Sequence, residues 1–179
     1  MIEKTKHSKE VYSCSFMALY EDEVILPNGK TSGRVYVKHP GAAAVLPIAK
    51  DGRFILIRQF RYPIRQVCIE MPAGKKDDPT EKGLDCVKRE LIEETGYQAG
   101  SIEPLMLIHN CLGYSDEHIE IFLARDCILA EHPLPHDEDE TIEVFLATPE
   151  EAYDLLVSGA ITDAKSIIAL QHYFMKHPV

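Results

Sequence analysis

An α+β fold or a layered α/β/α domain is predicted for this chain of 179 residues. Three observations carry that prediction. Runs rich in β-branched and aliphatic residues fill the first part of the chain. One stretch, residues 84–95, changes to helical spacing. Further strands follow, and two helix signatures close the sequence. Strands, a helix, strands and two helices in that order fit helices packed on a sheet. The length falls within the roughly 100–200 residues of a single domain. An apolar content of 45% is enough for a sizeable core.

The elements follow in order. Residues 11–19 and 23–26 are short strands, and Leu26-Pro27-Asn28-Gly29 is a turn, since Pro and Asn-Gly both set turn geometry. Residues 33–38 form another strand. Residues 42–48 (AAAVLPI) and 54–58 (FILIR) form a hairpin through Lys50-Asp51-Gly52. Residues 67–71 are a strand that ends at Pro72-Ala73-Gly74. In the helix at 84–95, Leu84, Val87 and Leu91 share one face. Strands resume at 105–109, 118–124 and 141–146, with an irregular polar stretch at 130–140 before the last of them. Thr148-Pro149-Glu150-Glu151 combines an N-cap, a proline at the first helical position and acids in the first turn, and Gly159 stops that helix. Asp163 caps the last helix, in which Ile167, Leu170, Gln171 and Phe174 share a face. Tyr12, Phe16 and Tyr36 suit either base stacking or, as strand aromatics usually do, the core.

A net charge of −10 argues against nucleic acid or an anionic membrane as a partner. It leaves room for a small anionic ligand, because a divalent metal reverses the local sign. Five cysteines without a C-x-x-C pair fit reduced thiols in a cytoplasmic protein. The start, MIEKTKHSKE, has no apolar signal-like core, and no apolar run is long enough to span a membrane.

Residues 89–96, RELIEETG, set Glu90, Glu93 and Glu94 within one stretch of helix. Like charges at these spacings repel by a few tenths of a kcal/mol per pair. Spacing alone fits a solvated charged face and a cation site equally well. A hard cation such as Mg²⁺ takes oxygen ligands and joins carboxylates to substrate phosphates. Arg58 and Arg61, near a strand end, suit either a diphosphate or a surface ion pair.

Glu81-x7-Arg89-Glu90-Leu91-x-Glu93-Glu94-x-Gly96-Tyr97 resembles the Nudix box, G-x5-E-x7-R-E-U-x-E-E-x-G-U with U apolar. One departure stands out: six residues, not five, separate Gly74 from Glu81, which predicts a one-residue bulge in 75–80. Arg58-Gln59-Phe60-Arg61-Tyr62-Pro63, Glu70-Met71-Pro72-Ala73-Gly74, Gly113-Tyr114-Ser115-Asp116-Glu117 and Asp163-Ala164-Lys165-Ser166 are similar to the nucleoside-diphosphate-sugar branch of that family. So are Leu26-Pro27-Asn28-Gly29, His39-Pro40-Gly41-Ala42 and the acid run 137–140.

The resemblance implies a Nudix-type α/β/α sandwich with a mixed sheet. It implies an N-terminal antiparallel β segment at 1–40 and a hydrolase domain at 41–179 in a homodimer; residues 11–38 suit a segment that crosses to the partner and a role within their own chain equally. Glu90, Glu94 and the Ala73 carbonyl would hold Mg²⁺, with Mn²⁺ as a substitute, and Glu81 and Glu93 would assist. Arg89 would brace the box. Glu138, with Glu140 as the second candidate, would be the general base. Arg58, Arg61, Glu70 and Glu117 would meet the substrate, and His39 is structural. The implied substrate is a nucleoside diphosphate sugar, with ADP-ribose first. GDP-mannose is the alternative, because Leu112 stands before Gly113 where ADP-ribose enzymes of the family often have proline. A non-catalytic nucleotide-sugar sensor is the remaining alternative. It fits poorly with a box that keeps all its acids.

Overall fold

The computed structural model describes residues 1–131 and 141–179, arranged in two compact units. The first unit comprises Met1–Gly41 and His109–His118. Its three strands, β1 (Lys4–Ser13), β2 (Ala18–Ile25) and β3 (Thr31–Lys38), form an antiparallel sheet in that order. The turn between β2 and β3 closes through Gly29, whose φ of 82° needs a residue without Cβ, and Asn28 accepts the Lys30 N–H. Tyr20 and Tyr36 are opposed across β2 and β3 and stack at 5.7 Å. Every residue of β1 is exposed. Tyr12 and Phe16 are therefore surface residues rather than core ones (61% and 42% exposed). The run 11–19 is not one strand: β1 starts earlier, at Lys4, and ends at Ser13, and a turn in which the Cys14 N–H donates to the Met17 carbonyl at 2.9 Å leads into β2 at Ala18.

The second unit comprises Ala42–Ile108 and Ile119–Val179. Its sheet is built from β4 (Ala42–Ala49), β5 (Phe54–Arg61), β6 (Gln66–Glu70), β7 (Ala73–Lys75), β8 (Tyr97–Gln98), β9 (Ser101–His109), β10 (His118–Leu129) and β11 (Ile142–Ala147). The central path runs β11-β5-β4-β10-β8. β10 lies parallel to β4 and the other pairs with a defined register are antiparallel, so the sheet is mixed. Strand β4 is buried along its whole length, as its continuous apolar run requires.

Alternate residues of each strand face opposite sides. Ala43, Val45 and Ile55 pack with Cys86, Val87 and Leu91 of α1 (Gly83–Thr95). Ala44, Leu46, Phe54 and Leu56 pack with Ala152 of α2 (Pro149–Val157) and with Ala169, Leu170 and Phe174 of α3 (Ala164–Lys176). Helices thus cover both faces, giving the α/β/α layering. The two closing helices start as their caps dictate: Thr148 and Glu151 form a reciprocal capping box, and Asp163 accepts the Ser166 N–H.

Two face assignments differ from the sequence reading. Leu84 is 38% exposed, because Gly83 and Cys86 occupy the buried stripe ahead of Val87 and Leu91. Gln171 is exposed, while Leu170 and Phe174 carry the packing of α3. The two short strands β7 and β8 are too brief to show periodicity in the sequence.

Candidate active site

Helix α1 carries the acid stretch, and its geometry follows from which side it buries. Gly96 ends it in the left-handed conformation, φ 72°, donating its N–H to the Ile92 carbonyl at 2.8 Å. With Val87 and Leu91 turned into the sheet, Glu94 falls on the buried side and is 3% exposed. Its carboxylate accepts the Ala73 N–H at 2.8 Å. One turn earlier, the Glu90 carboxylate lies against Gly74. A Cβ at residue 74 would stand 1.8 Å from a Glu90 oxygen, so only glycine lets strand and acid come this close. Strand β7, paired with Ala42–Ala44 of β4, holds Ala73 and Gly74 in place for both contacts.

Arg89 links the carboxylates. One Nη donates to Glu90 at 2.7 Å and to Glu93 at 3.0 Å. The other donates to the Lys75 carbonyl at 3.3 Å and lies 3.6 Å from both Glu81 and Asp77. Burial alone would lower the Arg89 pKa, but the Glu90 and Glu93 carboxylates raise it above its ordinary value. Glu81 accepts the Asp77 N–H at 2.7 Å, which ties the loop after β7 back to the box. Cys86 sits beneath this loop, 3.6 Å and 3.5 Å from the Gly74 and Lys75 carbonyls. Burial, reinforced by Glu81 and Glu90, pushes its thiol up to about 12, so it is not a nucleophile at neutral pH.

Two contacts are not visible in the sequence spacing. Lys76 is buried and bonds Glu120 of β10 at 2.7 Å, and the Glu120 carboxylate lies against Gly83 at the start of α1. That contact shows how the longer loop is held. The second is the first turn of α3, which meets the end of β6. Lys165 donates to Glu70 and lies 3.0 Å from Asp163. The Met71 N–H donates to the Ser166 hydroxyl at 2.8 Å.

Arg61 and Glu70 form a fork-to-fork pair, with bonds of 2.7 Å and 2.8 Å. Burial favours the neutral Glu70 acid, but Arg61 and Lys165 outweigh it and hold its pKa at about 2. The structure therefore brings Ala73, Glu81, Glu90, Glu93, Glu94 and Arg89 together, with Arg61 close enough to Glu94 to feel its charge. Arg58 goes elsewhere. It pairs with Glu143 of β11 at 2.7 Å and stacks over Phe145 at 4.0 Å. Glu117 belongs to the first unit and lies 3.8 Å from His39 Nδ1, which accepts the Gly41 N–H. Glu138 and Glu140 lie outside the described residues.

The donors on α1 and its loop are oxygens, which suits a hard divalent cation. Four carboxylates there face one guanidinium, so added positive charge is favoured. Among the described residues, no three His, Cys, Asp or Glu side chains already converge on one point. Arg89 holds Glu90 and Glu93, and the Ala73 N–H holds Glu94, in contacts a cation would compete for.

The family profile described as the NUDIX domain matches residues 37–170. An ADP-ribose pyrophosphatase of Bacillus subtilis (strain 168) is 39% identical over 174 residues, covering 97% of this chain and 94% of the relative. A methanol dehydrogenase activator of Bacillus methanolicus is 36% identical over 173 residues, covering 95% of this chain and 91% of the relative. A solved structure described as an ADP compounds hydrolase superposes with a TM-score of 0.81 at 22% identity, over 99% of this chain and 97% of that one, and bears on the fold alone. With the box acids seated on α1 against Ala73 and Gly74, and the profile spanning most of the sequence, the chain belongs to the Nudix family.

Proposed function

We propose that this chain hydrolyses the diphosphate of a nucleoside diphosphate sugar, with ADP-ribose first, to a nucleoside monophosphate and a sugar phosphate. The observation that carries the reading is the seating of Glu90 and Glu94 against the backbone of Ala73 and Gly74. Such a cluster of oxygens gathers at a site that must bind a divalent cation and a polyanion together. Glu90, Glu94 and the Ala73 carbonyl would hold Mg²⁺ or Mn²⁺, with Glu81 and Glu93 in support. The bound ion supplies charge neutralisation at the diphosphate and a more acidic water.

The chain's own groups do the rest. Arg89 keeps the box acids in register while the site is empty of substrate. Arg61, held by Glu70, presents a planar guanidinium suited to phosphate oxygens. Glu138 takes the proton from the attacking water, so Glu138→Gln should lower kcat and leave KM nearly unchanged. A variant in which only KM rises would make Glu138 a binding residue. Arg58 is engaged by Glu143 and Phe145, which makes it a weaker substrate contact than Arg61, and Glu117 would be a further contact.

GDP-mannose is the alternative substrate, favoured by Leu112 in place of proline. The reading places the enzyme in the cytoplasm, which recovery of the native chain only from a membrane or secreted fraction would contradict. Turnover of ADP-ribose, GDP-mannose and nucleoside triphosphates by the purified chain, with Mg²⁺ and with Mn²⁺, tests the substrate. Cleavage of triphosphates alone contradicts the proposal. No turnover with either metal leaves the chain a nucleotide-sugar sensor.

A further inference from the structure

The buried charge at the first turn of α3 has no part in the function above. Lys165 is 6% exposed and Glu70 2% exposed. Lys165 Nζ donates to one Glu70 oxygen and lies 3.0 Å from Asp163. Arg61 takes both Glu70 oxygens through Nε and one Nη, and its side chain remains 41% exposed. Lys165, Arg61, Glu70 and Asp163 thus form a neutral cluster of two cations and two anions. Its buried half is Lys165 with Glu70, and its open end is the Arg61 guanidinium. Asp163 is held in turn by the Ser166 N–H at 3.0 Å and the Ser166 hydroxyl at 2.5 Å. That hydroxyl also accepts the Met71 N–H, two residues before Ala73.

We propose that Lys165 is a positioning residue for diphosphate binding: it fixes Glu70, and through Glu70 it aims the Arg61 guanidinium at the substrate. The inference rests on the reading that Arg61 meets the diphosphate. Without Lys165, Glu70 and Asp163 share Arg61 as their remaining cation in the cluster. The guanidinium is then drawn toward two carboxylates and is less available to phosphate. Nothing in this requires Lys165 to touch the substrate, from which its burial separates it.

Two measurements on the full chain test the inference. The first needs no ligand. In isotope-labelled wild type, the Arg61 Nε–H bonded to Glu70 exchanges slowly with water. Lys165→Met speeds that exchange by about tenfold, in line with the loss of one coupled contact. Lys165→Arg, which keeps the charge, restores slow exchange in part. The second is calorimetric binding of α,β-methylene ADP-ribose with Mg²⁺. Lys165→Met weakens it by about tenfold, and Arg61→Ala/Lys165→Met binds no more weakly than Arg61→Ala alone. A residue that merely stabilises the fold would weaken binding equally in both backgrounds.

Wild-type exchange in folded Lys165→Met overturns the inference, as does a weakening that multiplies in full on Arg61→Ala. Wild-type protein that fails to bind the probe, while exchange changes as expected, sinks the substrate reading and leaves the coupling of Lys165 to Arg61 standing. Where Lys165→Met does not fold, Lys165→Gln removes the charge, keeps a polar side chain beside Glu70 and leaves Asp163 to compete for Arg61. The inference then requires faster Arg61 exchange in that variant, and unchanged exchange overturns it.

Discussion

At Gly74, a hydrogen in place of a methyl decides how closely Glu90 approaches the strand. Gly74→Ala would put a Cβ 1.8 Å from a carboxylate oxygen, which sits at the far end of a flexible side chain. The carboxylate moves, the fold survives, and hydrolysis falls on the order of a hundredfold, as for other displacements of about an ångström at a reacting centre. Steady-state turnover alongside thermal melting checks this, and a folded variant with full activity would show that the close approach is dispensable. The residues of the box were legible as a pattern, because their spacing is fixed along one helix. The role of glycine 74 was legible only in part. The sequence shows a glycine before the box but not which carboxylate it admits. Arg89 was read as a brace and does bond Glu90 and Glu93. Glu70 bonds Arg61 and Lys165 through its two oxygens, so under the proposed function it would hold Arg61 rather than meet the substrate itself.

Among the elements, the strands and helices with strong periodicity or caps were legible, and those placed by tertiary pairing were not. The capping box of α2 and the Asp163 cap of α3 are local chemistry, visible in a few residues. The buried face of α1 was misread at Leu84, since apolar spacing cannot tell that Gly83 and Cys86 fit the sheet better. Strand β7 exists because β4 pairs with it. The junction between β6 and α3 joins residues 95 apart in sequence, so no local pattern announces it.

That junction carries a pH signature. Glu70 has its folded pKa lowered from 4.5 to about 2. Its ion pairs therefore stabilise the protein fully above the unfolded pKa, and the contribution is lost as pH falls from about 4.5 through about 2. The integrated effect is about 3 kcal/mol. Glu70→Gln should flatten the acid limb of stability against pH over that window, measured by urea denaturation. An unchanged acid limb would place the buffering charge elsewhere.

On the scale of the whole molecule, the two units differ in how completely they bury themselves. The second has apolar cores on both faces of its sheet. The first has a ten-residue strand, β1, with every residue exposed, and Val11, Tyr12, Phe16, Met17 and Val35 on its surface. An exposed edge of this kind is a template for pairing. We propose that the segment pairs with a second copy, making a homodimer. Sedimentation equilibrium should return twice the 20.2 kDa chain mass. A monomer across the accessible concentration range would contradict it. Among the described residues, no helix is long and apolar enough to cross a membrane.

The claim on which the rest depends is that α1 holds a divalent cation through Glu94 and Glu90. Calorimetric titration of Mn²⁺ into wild type and Glu94→Gln, with melting curves for both, addresses it most directly. The account predicts binding to the wild type and a loss on the order of a hundredfold or more in the variant, at least that of losing a supporting contact, with cooperative melting retained. Equal Mn²⁺ affinity in the two proteins would contradict it.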